Sequence, residues 1–299
     1  MLFRSGGGVI IALMALNKIH IASLGFGEFT TSFLAGLNYG LGFMLIHMLH
    51  CTVATKQPAM TAASFAEQVD SNEGSKAVDN KLAKLLIDVC RSQSVAVFGN
   101  VSIAVLLAAG IAWGYAYTHG QPLLNEAVTA YQLKSIEIFT QPTLWYAAIA
   151  GVWLFCSGII AGFFDNRSDY LNLRQRLPFN PFLRKIMRPQ PRRRLAAYIH
   201  KHYGSLMGNF IFGMLLGMTG YFGHLFGLPL DIRHVAFSSA NLGYAAISGH
   251  ADVFTFILGL VSVLAIGMVN LVVSFSLALA VALRSRGTRL GSIRNQIGR

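Results

Sequence analysis

The chain has 299 residues, of which 54% are apolar and 12% are Asp, Glu, Lys or Arg, with a mean hydropathy of +0.52. That charge content is half the ~25% of a soluble domain, too little to cover so much apolar surface in water, and the composition also excludes a disordered chain, a coiled coil and a disulfide scaffold. The net charge of +12 reads, in such a chain, first as topology and contact with anionic phospholipid headgroups, and only second as nucleic-acid binding.

A membrane span needs about 20 apolar residues, each rising about 1.5 Å. The first window, Gly6–Phe26, is interrupted by Asn17, Lys18 and His20. Its broken apolar run and the absence of a small-x-small cleavage pattern favour a retained span over residues 7–25 rather than a signal peptide. The second span is expected over 33–53. Gly36 and Gly40 there flank Asn38 and form a face for close helix packing. His47, His50 and Cys51 lie near its inner end; a single i,i+3 histidine pair is too few ligands for zinc, so no metal is expected.

Residues 54–94 form a mixed-charge loop in which Leu82, Leu85, Leu86 and Val89 recur at helical spacing. This predicts a short surface helix leading into a third span at 95–118. A fourth span is expected at 142–164. Residues 165–204 follow, with ten Lys and Arg between Asp165 and Tyr203 against Asp165 and Asp169. Pro178, Pro181, Pro189 and Pro191 predict an irregular cationic strap rather than a long helix. Arg184, Lys185, Arg188, Arg192, Arg193 and Arg194 are its candidate contacts for anionic lipid or nucleic acid. His200 and His202 are expected to be solvated.

The fifth span, 205–227, carries Asn209, Gly213, Gly217, Gly220, His224 and Gly227 within an arc of roughly 80°. That face suits close helix packing, or a polar path with His224 as a proton or ligand group. Asp231, Arg233 and His234, with Glu28, fall at the outer boundary. Asp231 and Arg233 are expected to form an ion pair, with binding of a charged solute there as the sharper alternative. Residues 235–249 are apolar enough to enter the bilayer and too short to cross it, which predicts a re-entrant or interfacial piece. The sixth span, 253–283, is broken only by Asn270.

Charge sets the orientation. The 165–204 loop and the tail from Arg284, with five Arg and no acid, belong in the cytoplasm by the positive-inside rule. Both termini and the 54–94 loop then lie inside. The expected fold class is all-α: a single polytopic transmembrane helical bundle at residues 1–299, with six spans plus one re-entrant or interfacial segment, N-in and C-in, in a bacterial inner membrane. Asn38, Asn100, Asn209, Asn241 and Asn270, together with His224, are the candidate intramembrane polar path, because each amide is costly in hydrocarbon and should face the bundle. Cys51, Cys90 and Cys156 form no disulfide framework and read as small packing residues. No cofactor is expected.

Three stretches carry more than composition: Leu37–Ser64, Gly162–Tyr170 and Gly208–Tyr244. Their distinctive words are the ATKQPAMTA run at Ala54–Ala62, Asp165-Asn166-Arg167 and Pro229–His234. Together they resemble the bacterial membrane-protein family catalogued as site-specific recombinase. The resemblance implies chains about twice this long, of which only the C-terminal membrane half is expected here, with a missing N-terminal partner half or a homo-oligomer as partner. The family's name implies recombination. That reaction needs a Ser or Tyr nucleophile with Arg side chains on the phosphate, and in the tyrosine type a soluble domain with His-x-x-Arg and a distant Tyr. Here Arg233 and His234 are adjacent, and no catalytic residue or enzyme activity is predicted. The function expected is therefore a transport or channel-like protein or a membrane assembly subunit. The alternative is a membrane-anchored, DNA-associated protein using its basic loop.

Overall fold

The structure is a computed structural model that describes residues 6–51 and 75–285. It is all-α, with helices α1 (Gly7–Ser23), α2 (Glu28–Met48), α3 (Ser75–His119), α4 (Glu126–Ile136), α5 (Thr143–Tyr170), α6 (Leu173–Arg176), α7 (Pro181–Ile186), α8 (Pro189–Phe226), α9 (Val235–Ser248) and α10 (Val253–Ser285), and one 3-10 turn at Leu177–Phe179. Among the described residues, five helices are long and apolar enough to cross a membrane: α2, Val97–His119 of α3, α5, α8 and Val253–Ala282 of α10. The first expected span, α1, is apolar but only 17 residues long. Large side chains such as Leu106, Trp113, Phe163, Phe254 and Met268 stand exposed on these helices, as lipid-facing surfaces do.

Glycine brings the helices together. The closest pairing is α2 with α8, where a Cβ at Gly213 would overlap the Gly40 backbone and one at Gly217 would overlap that of Gly36. On the other side of α8, Gly204 and Gly208 lie against Ala161 and Ser157 of α5, and Gly204 N donates to Asp165 Oδ1 at 2.9 Å. Gly151 of α5 lies against the Asn270 carbonyl and Val273 of α10. Missing side chains let backbones approach, and dispersion then drives association where lipid tails are as apolar as the helices. The larger side chains, Tyr39, Phe43, Phe212, Phe237 and Tyr244, fill one buried core at the centre.

The basic 165–204 stretch departs from expectation. It is helical over most of its length, because its prolines stand where helices tolerate them. Pro181 and Pro189 each occupy the first helical position, and Pro191 is still in the first turn of α8. Their absent N–H groups are among those a helix start leaves unbonded anyway. The fifth expected span is thus the second half of a 38-residue helix. His200 and His202 are not simply solvated: Ser168 Oγ lies 3.0 Å from His200 Nδ1, and His47 Nε2 lies 3.1 Å from His202 Nδ1. The surface helix expected before the third span is continuous with it from Ser75. The Ala54–Ala62 run and the Arg-rich tail beyond Ser285 lie outside the described residues.

Helix α4 has no counterpart in the sequence reading, which leaves residues 119–141 as loop. Asn125 caps it by accepting from Val128 N at 2.9 Å, and Ile136 is buried. Helix α9 is the most enclosed element. Of its 14 residues, 11 are buried, so it has no lipid-facing side. At about 21 Å in length it is shorter than the ~30 Å hydrocarbon core. Gly243 lies against Val105 and Ala108 of α3, Tyr244 Oη donates to Ala12 O of α1 at 3.0 Å, and Ser248 Oγ accepts from Leu124 N at 3.3 Å.

Replacing Gly213 by Leu is expected to destabilise the protein by about 1–3 kcal/mol or more through overpacking, seen as a lower melting temperature in detergent. Gly110, with nothing near its Cβ position, should accept Leu with no comparable loss.

Candidate functional site

The site is built on the break between α8 and α9. Helix α8 ends at Gly227, whose φ of 62° places it in the left-handed region. Leu228 N then reaches back to Gly223 O at 2.8 Å, the six-to-one bond of a Schellman stop. Residues Leu228–His234 leave without helix and carry backbone groups that no repeating pattern satisfies. The neighbours satisfy them instead. Trp145 Nε1 donates to Pro229 O at 3.1 Å, and Arg233 N donates to Tyr146 O at 3.2 Å.

Asn270 closes the segment. It is buried and is the eighteenth of the 33 residues of α10. Its Nδ2 donates to Ala147 O at 2.7 Å and to Arg233 O at 3.0 Å, and its Oδ1 accepts from Val235 N at 3.0 Å. One amide thus serves a carbonyl of α5, the last carbonyl before the α9 cap and the first N–H of α9. His234 is that cap: its Nδ1 accepts from Ala236 N at 3.4 Å, so this nitrogen carries no proton in this arrangement. The ring is enclosed by Phe43, Phe212 and Phe237 at centroid distances of 6.1, 5.5 and 6.0 Å.

Arg233 and Asp231 face a cavity of about 550 Å³ between α1, α2, α4, α5, α8 and α9. Arg233 Nη1 donates to Asp231 Oδ2 and to Ile232 O, both at 2.7 Å, and its Nε donates to Ser135 O at 2.6 Å. Its guanidinium lies 5.4 Å from the Tyr146 ring centroid, within cation–π range. Asp231 Oδ1 accepts from Ile232 N at 2.7 Å. Lys18, Tyr39, Tyr131, Gln132, Ser238 and Asn241 share the lining. Near one edge, His224 Nδ1 and Glu28 Oε2 pair at 2.6 Å with both side chains largely exposed.

The candidate polar residues do not form one path. Of the six, Asn241 and His224 line this cavity. Asn270 is spent on backbone. Asn38 ties α1 to α2, donating to Met14 O at 2.8 Å and accepting from Asn17 Nδ2 at 2.9 Å. Asn209 is buried in α8. Asn100 sits where α3 meets Gly8 of α1. The sequence reading missed Lys18 as a site residue and missed Tyr39, Tyr131, Gln132 and Tyr146 altogether. Lys18 was detectable, since a charge within an apolar helix is a functional signal in its own right. The others come from three separate helices and have no common spacing.

At the opposite end of α5 and α8, Asp165, Asp169, Arg174, His200 and Lys201 line a second cavity of about 480 Å³, where His200 Nε2 lies 3.6 Å from Asp169 Oδ1. Arg184, Lys185, Arg188, Arg193 and Arg194 are exposed on α7 and the start of α8, with Arg192 half-buried. Phe179, Phe182 and Ile186 are exposed among them. Among the described residues no group of three His, Cys, Asp or Glu is placed to hold a metal, and no catalytic constellation is visible.

A family model described as site-specific recombinase matches residues 1–298, and the chain belongs to that family. The match corrects the expectation that only a C-terminal membrane half of the family is represented, because it runs through the whole of α1–α10. No curated protein and no solved structure matches.

Asn270→Leu should leave the Arg233 carbonyl and the Val235 N–H unpaired inside the bundle, at a cost of ~1–3 kcal/mol each, and lower the melting temperature markedly in detergent. Ser274→Ala is the control: its hydroxyl bonds only Leu271 O of its own helix, at 3.0 Å, so its loss should be small.

Proposed function

We propose that this member of the site-specific recombinase family is a multi-pass inner-membrane protein of transport or channel-like function, which takes a small polar solute into the cavity between α1, α2, α4, α5, α8 and α9. The observation that carries the reading is the pairing of that cavity with non-helical backbone. Leu228–His234 is irregular chain beside the midpoint of a membrane-length helix. Such backbone is tolerated at that depth only where protein buries it or where it lines a wet cavity, and broken helices of this kind mark solute sites in transporters. In this reading Leu228–His234 descends from the outer face and α9 climbs back to it as a re-entrant helix. The short helix α4 lies against α9 and screens it on that side.

Orientation follows from charge. With the α5–α8 connection and the tail in the cytoplasm, both termini are inside and the cavity faces outward. The exposed Phe179, Phe182 and Ile186 beside Arg184, Lys185 and Arg188 suit α7 to the headgroup region, with apolar side chains in the lipid and cations at anionic phosphates. A nucleic-acid face has no use for those apolar groups, so lipid is the favoured partner of this basic stretch.

The test is solute flux in proteoliposomes, followed by light scattering with a panel of small charged and neutral polar solutes. The background is a chain with Cys51, Cys90 and Cys156 replaced and Asn241→Cys introduced. At least one solute should enter faster than into empty liposomes, and a thiol reagent at position 241 should abolish the difference. Flux equal to that of empty liposomes for every solute would leave the chain as a membrane assembly subunit without a conduction role.

A further inference from the structure

The charges around the cavity do not cancel. Asp231 is the acid of the lining, and both its oxygens are already engaged: Oδ2 by Arg233 Nη1 at 2.7 Å and Oδ1 by Ile232 N at 2.7 Å. Arg233 is likewise held on several sides, by Asp231, Ile232 O and Ser135 O. The pair is closed on itself and contributes no net charge.

Lys18 is left over. It stands on α1 and lines the same cavity, is half-buried, and the charged groups acting on it are Asp231 and Arg233. Among the described residues its ammonium takes part in no hydrogen bond and no ion pair, although an ammonium carries three donors. Asn17, one residue earlier, has its amide on Asn38 Oδ1 at 2.9 Å, which helps fix the register of α1 against α2. A half-buried charge on a helix within the bundle that the protein does not pair calls for a counter-charge from elsewhere. The remaining lining is a mixture of aromatic side chains, Tyr39 and Phe237, with amides from Gln132 and Asn241. Rings favour an apolar body, and amides favour a few polar groups on it. The volume of about 550 Å³ is far larger than a halide requires.

We propose that this cavity binds a small organic monoanion whose carboxylate is held by the Lys18 ammonium, with its carbon body between Tyr39, Phe237 and Asn241. The assignment rests on the solute-cavity reading above and names its substrate class. Lys18 supplies the charge and the three donors. The Arg233–Asp231 pair supplies shape and keeps a second anion out by leaving no further free Lys or Arg among the described lining residues. A neutral isostere of the same shape loses the ion pair and strands the ammonium.

The experiment uses the full chain in detergent, with benzoate and its neutral isostere benzamide as probes, read by the shift in melting temperature and by calorimetric titration. Benzoate should raise the melting temperature and titrate to saturation, and benzamide should do neither. Lys18→Arg should keep the benzoate response, Lys18→Met should lose it, and thiol blocking of Asn241→Cys should lose it too. A benzoate response no larger than that of benzamide in the unaltered chain overturns the proposal, and that comparison requires no variant to fold. A full benzoate response in Lys18→Met overturns it as well. The two readings fail separately. Flux of neutral solutes without benzoate binding removes the anion and keeps the conduit, whereas benzoate binding without any flux removes the conduit and keeps the site.

Discussion

A bilayer offers no water to satisfy a broken helix, and the organisation of this protein follows from how it meets that constraint. Between Gly227 and Val235 the chain gives up its internal hydrogen bonds while surrounded by other helices. Asn270 restores two of them with the side chain that also bonds Ala147 O of α5, and Trp145 and the Tyr146 carbonyl restore two more. Each unmet backbone group in an apolar interior costs on the order of several kcal/mol. The break is therefore stable only with α5 and α10 in place beside it, so the two long helices and the irregular segment form one unit. The Arg233–Asp231 pair belongs to the same unit, since its guanidinium also binds the Ser135 carbonyl near the end of α4.

Close packing elsewhere makes room for this. Gly36, Gly40, Gly213 and Gly217 let α2 and α8 meet backbone to backbone at mid-length. Farther along α8, Gly220 faces Asp231 at van der Waals distance and lines the cavity. One stripe of small residues thus serves two purposes: tight contact in its middle and open space near its C-terminal end. The core rings Tyr39, Phe43, Phe212 and Phe237 mark the boundary between those regions and enclose His234.

The long apolar helices were legible because charge-free windows of membrane length have few other uses. The glycine stripe was legible as a face, but not which partner it meets, since spacing along one helix carries no record of another. The proline-rich stretch misled because proline density was weighed without position: a proline in the first turn starts a helix as readily as an interior one breaks it. Helix α4 was hidden by its length of 11 residues and its mixed polarity, with Asn125 before Glu126 as the cap signal that was there to be read. Asn270 was visible as a costly amide, whereas its partners at Ala147, Arg233 and Val235 are far away in sequence. The cavity could not be read, because Lys18, Tyr39, Tyr131, Tyr146 and Asn241 share nothing but their place in the fold. His224 shows the reverse. It was legible on its helix face and lines the cavity near one edge, where it pairs with Glu28, a partner no spacing could name.

The central claim is that Leu228–Ser248 enters the membrane and returns to the side it left. Single cysteines at Leu228 and His250, each in a chain without Cys51, Cys90 and Cys156, test it in intact cells with a membrane-impermeant thiol reagent. The account predicts that both positions are labelled from outside, while a cysteine at Asp169 is labelled only after the membrane is opened. Labelling of Leu228 from outside and of His250 only after opening would make the segment a crossing and would contradict the account.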